Sequence, residues 1–254
     1  NFGAGSKYGY LLLWVLVAAN LMAALAQYLS AKVGIVTGKS LPEIIAEKLP
    51  RRGRLSYWAQ AELVAIATDI AEVVGGAVAL YLLFGVPLPV GGLITGAVSM
   101  LILVVYTRQG QKVFERIILM LLLLIPIGFF TGLVMSPPSV SGMVGGLVPR
   151  FAGTETLLLA TAMIGATIMP HVVYLHSALA RDRHGKVEVA QLRRYLRATK
   201  IDVMLAMAVA GAINISMLLL AASVLEGRGV ETFEDIYREL GVALGPFVAI
   251  TFAL

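Results

Sequence analysis

Cysteine is absent from the 254-residue sequence. Its absence excludes disulfide staples, zinc–thiolate centres and thiol catalysis. Charge is scarce as well: Asp, Glu, Lys and Arg make up 14% of the residues, against about a quarter in soluble domains. There are three histidines and two tryptophans. The sequence has no phosphate-cradling glycine loop with a lysine, no His-Glu-x-x-His box and no credible Ser/His/Asp set, so it is not expected to encode an enzyme. Strand-like alternation is missing too. The apolar stretches are long and unbroken, unlike the ~10-residue alternating segments of a membrane barrel. No basic segment followed by a short apolar core opens the chain, so a cleavable signal peptide is not expected.

What remains is hydrophobic. Apolar residues make up 59% of the chain, and the mean hydropathy is +0.87. The composition reads as an all-α polytopic membrane protein, one transmembrane domain over 1–254. Spans are expected near 10–33, 55–84, 88–106, 113–135, 156–179 and 201–224. A further run, 242–254, is too short to cross about 30 Å of hydrocarbon. Most basic residues fall in every second loop: 32–54, with Arg51, Arg52 and Arg54; 107–116; and 181–200, with Arg193, Arg194 and Arg197. Basic loops stay on the cytoplasmic side, which places these three there. The net charge of +5 is thus a topology signal in a multi-pass cell-membrane protein, and nucleic acid is not an expected partner. Residues 41–49 read as an amphipathic helix at the interface, and 230–240 as an acidic cap helix.

The stretch from Met163 to His171 carries the most chemistry. A proline at position 170, inside a spanning run, removes a helical N–H and disfavours helix in the residue before it. A helix broken at membrane depth frees backbone carbonyls, which are tolerated only against protein or a wet cavity. Met169 offers a soft thioether there, although methionine also fills core gaps. His171 has the chemistry to bind metal or relay protons. Asp69 and Glu72, spaced i, i+3 near the middle of 55–84, share one helix face. An ionised Asp at a helix centre costs about 2.5–3.5 kcal/mol. The pair therefore needs water, a cation or a proton, and fits either a proton carrier or a structural ion pair. Asn20, Gln27, Thr167, Asn214 and His176 are polar groups inside spans, and interhelical hydrogen bonding is their simplest role.

The residues Gly165-Ala-Thr-Ile-Met-Pro-His171, with Tyr174-Leu-His-Ser177, resemble the sixth-helix motif of the Nramp family of proton-coupled divalent-metal transporters. Gln27-Tyr-Leu-Ser-Ala-Lys-Val-Gly-Ile-Val-Thr-Gly38 resembles the end of that family's second helix, and Asp69-Ile-Ala-Glu-Val-Val-Gly75 its third. The resemblance covers essentially the whole chain. It implies a LeuT-like inverted repeat with broken helices, importing Mn²⁺ or Fe²⁺, and also Cd²⁺, with protons by alternating access. The metal and protons would be cargo, with no resident cofactor; the bilayer is the other partner, and no obligate protein partner is expected. It implies metal ligands at Met169 and the Ala166 carbonyl. It also implies a proton route through Asp69, Glu72 and His171, and a rearranging polar network of Gln27, Thr167 and Asn214, with His176 a gate element. The family's remaining ligands lie in an Asp-Pro-Gly-Asn motif that this sequence does not contain, and Asn1 is not its counterpart. Residues 1–9 resemble the second half of a first helix, so the chain reads as a fragment lacking the start of helix 1 and the C-terminal helices. The alternative is a Na⁺-coupled symporter of amino acids or other organic solutes on the same architecture, which Met169 beside Pro170 fits poorly.

Overall fold

The computed structural model describes residues 1–109, 111–185, 187–228, 230 and 232–253; within these, the side chains of 105–107, 109, 111–115, 117, 118, 121–125 and 184 are left aside. The described residues form helices α1 (Phe2–Tyr8), α2 (Leu13–Thr37), α3 (Leu41–Lys48), α4 (Arg51–Phe84), α5 (Leu88–Gln109), α6 (Gln111–Met135), α7 (Val140–Gly146), α8 (Thr154–Thr167), α9 (Pro170–His184), α10 (Val189–Val224), α11 (Phe233–Leu244) and α12 (Pro246–Ala253). Among the described residues, four stretches are long and apolar enough to cross a membrane: Leu13–Thr37, Arg51–Phe84, Thr154–Arg183 and Val189–Val224.

The helices differ from the sequence expectation at their ends. The basic stretches 32–54, 107–116 and 181–200 are largely helical rather than loops: α2 runs on to Thr37, α5 reaches Gln109, α6 begins at Gln111, and α10 starts at Val189. Residues 110 and 186 within them lie outside the described residues. Lys, Arg, Glu and Gln end a membrane crossing but are good helix formers, so the helix continues past the bilayer edge. The apolar run 242–254 is not a single new helix. α11 carries on through Val242 to Leu244, Gly245 turns the chain at φ 90°, and Pro246 starts α12; Leu254 lies outside the described residues.

The chain divides into two units. One comprises residues 1–13, 68–151 and 213–254. Its core is built by Phe2, Phe129, Leu220, Leu225, Leu240 and Val248. The Phe2 ring packs 5.9 Å from Phe129 and 4.8 Å, edge-on, from Phe252. α11 begins at a capping box: the Thr232 hydroxyl accepts from the Asp235 N–H, and the Asp235 carboxylate returns a bond to the Thr232 N–H. α12 packs against α11 and α6.

The second unit comprises residues 14–67 and 152–212. Here α2 lies against α9. Asn20, Gln27 and Gly34 recur every seven residues and therefore form one stripe along α2. At Gly34 a β-carbon would stand 2.2 Å from the Ser177 carbonyl oxygen of α9, so only hydrogen fits. Just past it, Ala31, Ile35 and Ala180 close an apolar cluster with Leu192 and Leu196.

Gly34→Ala is expected to destabilise the full-length protein by about 1–3 kcal/mol through overpacking. Gly96→Ala, which meets nothing within 4 Å, should be neutral or slightly stabilising. Thermal unfolding of the two variants in detergent compares them directly.

Candidate functional site

The expected break in the sixth span is present, and it takes two residues. α8 ends at Thr167; Ile168 (φ −108°, ψ 86°) and Met169 (φ −90°, ψ 118°) leave the helical region; α9 restarts with Pro170 as its first residue. The cause is local. Pro170 has no N–H to give to the carbonyl four residues back, which belongs to Ala166. It also pushes Met169 into the extended region, and its fixed φ suits the first position of the new helix. The Ala166 carbonyl therefore has no helical donor. Met169, partly buried, sits at the open end of the gap.

The first turns of α9 are held from α2. The Ser30 hydroxyl donates to the Val173 carbonyl. The His176 Nδ1–H donates to Gln27 Oε1. The Ser177 hydroxyl, fully buried, donates to the Tyr174 carbonyl at 2.7 Å and accepts from the Leu41 N–H at 2.9 Å. Leu41 opens α3, and this bond pins that helix to α9. Ser40 and Glu43 form a capping box at the start of α3, and the Arg181 guanidinium of α9 donates to the Glu43 carboxylate at 2.6 Å. The Ser40 N–H bond, and after it Arg181, hold the Glu43 carboxyl below the ordinary carboxylate range. Ser30, Ser177, Glu43 and Arg181 were not singled out in the sequence. Ser40-Leu-Pro-Glu43 does carry a capping-box signature, whereas the other contacts are visible only once α2 and α9 are paired.

The remaining polar residues take separate partners. Thr167 donates from its hydroxyl to the Met163 carbonyl at 2.8 Å, one turn back. Asn214, in the other unit, accepts at 3.0 Å from the Asn1 side chain, whose amide also lies 4.0 Å from the Met217 sulfur. Asn20 Oδ1 and His171 Nδ1 are buried and meet no hydrogen-bond partner among the described residues. Asn20 presses on Gly211 of α10, where a β-carbon would come within 2.4 Å of its amide. Gln27 and Thr167 are thus not bonded to one another. Asp69 and Glu72, on the length of α4 that belongs to the first unit, are both exposed. Among the described residues no group of three or more His, Asp or Glu side chains gathers as a metal centre. At the break, the donors are a carbonyl oxygen and a thioether.

The whole chain, residues 1–254, matches the family model "Natural resistance-associated macrophage protein-like", Nramp. It is 56% identical over 256 residues to the divalent metal cation transporter MntH of Mycobacterium tuberculosis (strain H37Rv), covering all of this chain and 60% of that protein. Against MntH of Bacillus subtilis (strain 168) it is 44% identical over 258 residues, again covering all of this chain and 60% of the relative. Its fold superposes on a crystal structure of the Eremococcus coleocola manganese transporter in complex with an aromatic bis-isothiourea substituted compound. The TM-score is 0.86 at 29% identity, covering 99% of this chain and 56% of that one. The chain spans about three-fifths of the length of the curated relatives it matches.

Because the folded Glu43 carboxyl titrates lower than a free one, its contacts stabilise α3 at pH above the ordinary carboxylate range. That contribution is lost as pH falls through the folded value. Protection factors of the amides across 41–48, which correct for the intrinsic slowing of exchange in acid, should therefore fall on acidification, and Glu43→Gln should flatten the response. An unchanged pH response in Glu43→Gln would assign the effect elsewhere.

Proposed function

The chain belongs to the Nramp family, and we propose that it carries the metal-binding break of a proton-coupled importer of divalent transition metals in a cell membrane. One observation carries this proposal: at the α8–α9 break, Pro170 leaves the Ala166 carbonyl without a helical donor, and Met169, whose side chain is a thioether, is one of the two residues in the gap. A bare carbonyl at membrane depth demands a partner, and a cation supplies one. A soft sulfur among oxygen donors favours Mn²⁺, Fe²⁺ or Cd²⁺ over Ca²⁺ and Mg²⁺, which bind hard oxygens and gain little from a thioether.

In this proposal the metal is cargo, held by Ala166 and Met169 together with ligands from outside this sequence. Asp69, Glu72 and His171 move the protons. Two carboxylates on one face of a spanning helix are costly to hold without water, a cation or a proton, which suits them to a proton route. His171 sits one residue after Pro170, with an unsatisfied ring nitrogen free to take a partner. Gln27, Thr167, Asn214 and His176 change partners as access alternates between the two sides. The basic stretches 32–54, 107–116 and 181–200 face the cytoplasm, and a proton gradient directed inward would drive uptake.

Proteoliposomes carrying the full-length protein should take up Mn²⁺ in the presence of excess Ca²⁺. Met169→Ala should lose that preference. Uptake indifferent to the substitution would assign Met169 to packing, and no Mn²⁺ uptake at all would overturn the metal assignment. Glu72→Gln should retain Mn²⁺ entry while proton co-transport, followed with an internal pH dye, falls. Unchanged proton flux would remove Glu72 from the proton route.

A further inference from the structure

A cavity of about 610 Å³ lies in the second unit where α3, the first turns of α4 and α9 meet. Its volume is within the roughly 300–1,000 Å³ of small-molecule sites. Ile45 of α3, Leu55, Trp58 and Ala61 of α4, and Tyr174 of α9 give it an apolar wall, with Arg54 at its edge. The Tyr57 and Tyr174 rings stand 6.0 Å apart along one side.

The charge around this cavity is unusual for the start of a helix. Lys48, Arg51, Arg52 and Arg54 are all exposed. The first turn of α4 contains no acidic residue, and among the described residues none of Arg51, Arg52 and Arg54 forms an ion pair. A helix N-terminus is already the positive end of the helix dipole, so cations there oppose it unless an anion is present. An occupant that satisfies both features needs a hydrocarbon part for the wall and an anionic head for the rim. The setting supplies one: α3 is an amphipathic helix of the kind that lies in the membrane interface, Trp58 and Tyr57 are belt residues, and clustered Arg and Lys at that level attract anionic lipid.

We propose that this cavity is a binding site for an anionic phospholipid. One acyl chain lies along Leu55, Trp58 and Ile45, and the phosphate sits against Arg54 and its neighbours Arg51 and Arg52. The site is independent of the metal. It does border the metal-binding helix, since Tyr174 lies between His171 and His176 and α3 is fastened to α9 at Ser177 and Arg181.

The test uses the full-length protein in phosphatidylcholine vesicles containing rising fractions of dibrominated phosphatidylglycerol or dibrominated phosphatidylcholine. Bromine quenches tryptophan on contact, and the difference between wild type and Trp58→Phe isolates the Trp58 signal. Brominated phosphatidylglycerol should quench Trp58 at a several-fold lower mole fraction than brominated phosphatidylcholine. Arg54→Gln should bring the two curves together. Ala61→Phe keeps the basic cluster but fills the cavity, and should leave only the shallow quenching common to both lipids. Equal quenching by both lipids in the wild type would overturn the proposal, as would a preference that survives both substitutions. So would the absence of quenching by either lipid. None of these readouts depends on metal uptake.

Discussion

A backbone carbonyl inside a bilayer has almost no freedom: it is bonded within its helix, or it meets protein, water or an ion. Pro170 removes that bond for Ala166, and much of the second unit follows from the removal. The chain leaves the helix for two residues, Met169 is placed at the gap, and α9 starts afresh with no side-chain cap. A break of this kind costs stability wherever it occurs in a membrane protein. It persists only where surrounding contacts hold the two half-helices and where something uses the freed group.

Those contacts come mainly from small side chains. Gly34 lets α2 approach α9 so closely that backbone meets backbone, Ser30 and Gln27 then reach across with single hydrogen bonds, and Ser177 ties α9 to α3. In lipid, where apolar side chains gain little by leaving hydrocarbon for one another, such close approach is what joins helices. α3 completes the arrangement from outside the membrane span, through its capped N-terminus and the Glu43–Arg181 bridge. An exposed bridge alone is worth little; joined to the Leu41–Ser177 bond it fixes α3 at two points.

The break was legible in the sequence because proline is the one residue whose covalent structure forbids the bond in question. The i, i+3 spacing of Asp69 and Glu72 was equally legible, since helix geometry alone puts them on one face. Other features were hidden for physical reasons. Helical structure runs on into 107–116 and 181–200 because charge marks the membrane edge and not the end of a helix. The pairing of Gln27 with His176 depends on the rotation of two helices about their own axes, which no local pattern encodes. Gly34 differs from other membrane glycines only in the Ser177 carbonyl that lies opposite it, which the sequence does not encode locally. Asn214 bonds to Asn1, more than two hundred residues away in sequence, a partner that spacing cannot reveal.

The two-residue gap at Ile168–Met169 also has a mechanical meaning. α9 runs 15 residues from Pro170, which at the helical rise makes an arm of about 22 Å. A tilt of roughly 10° at the joint would sweep its far end through about 4 Å. Arg181 sits near that far end and holds α3, whereas His171 sits beside the pivot and would scarcely travel. A joint so placed would keep displacement small beside the donors at the gap and larger at the far end of the helix.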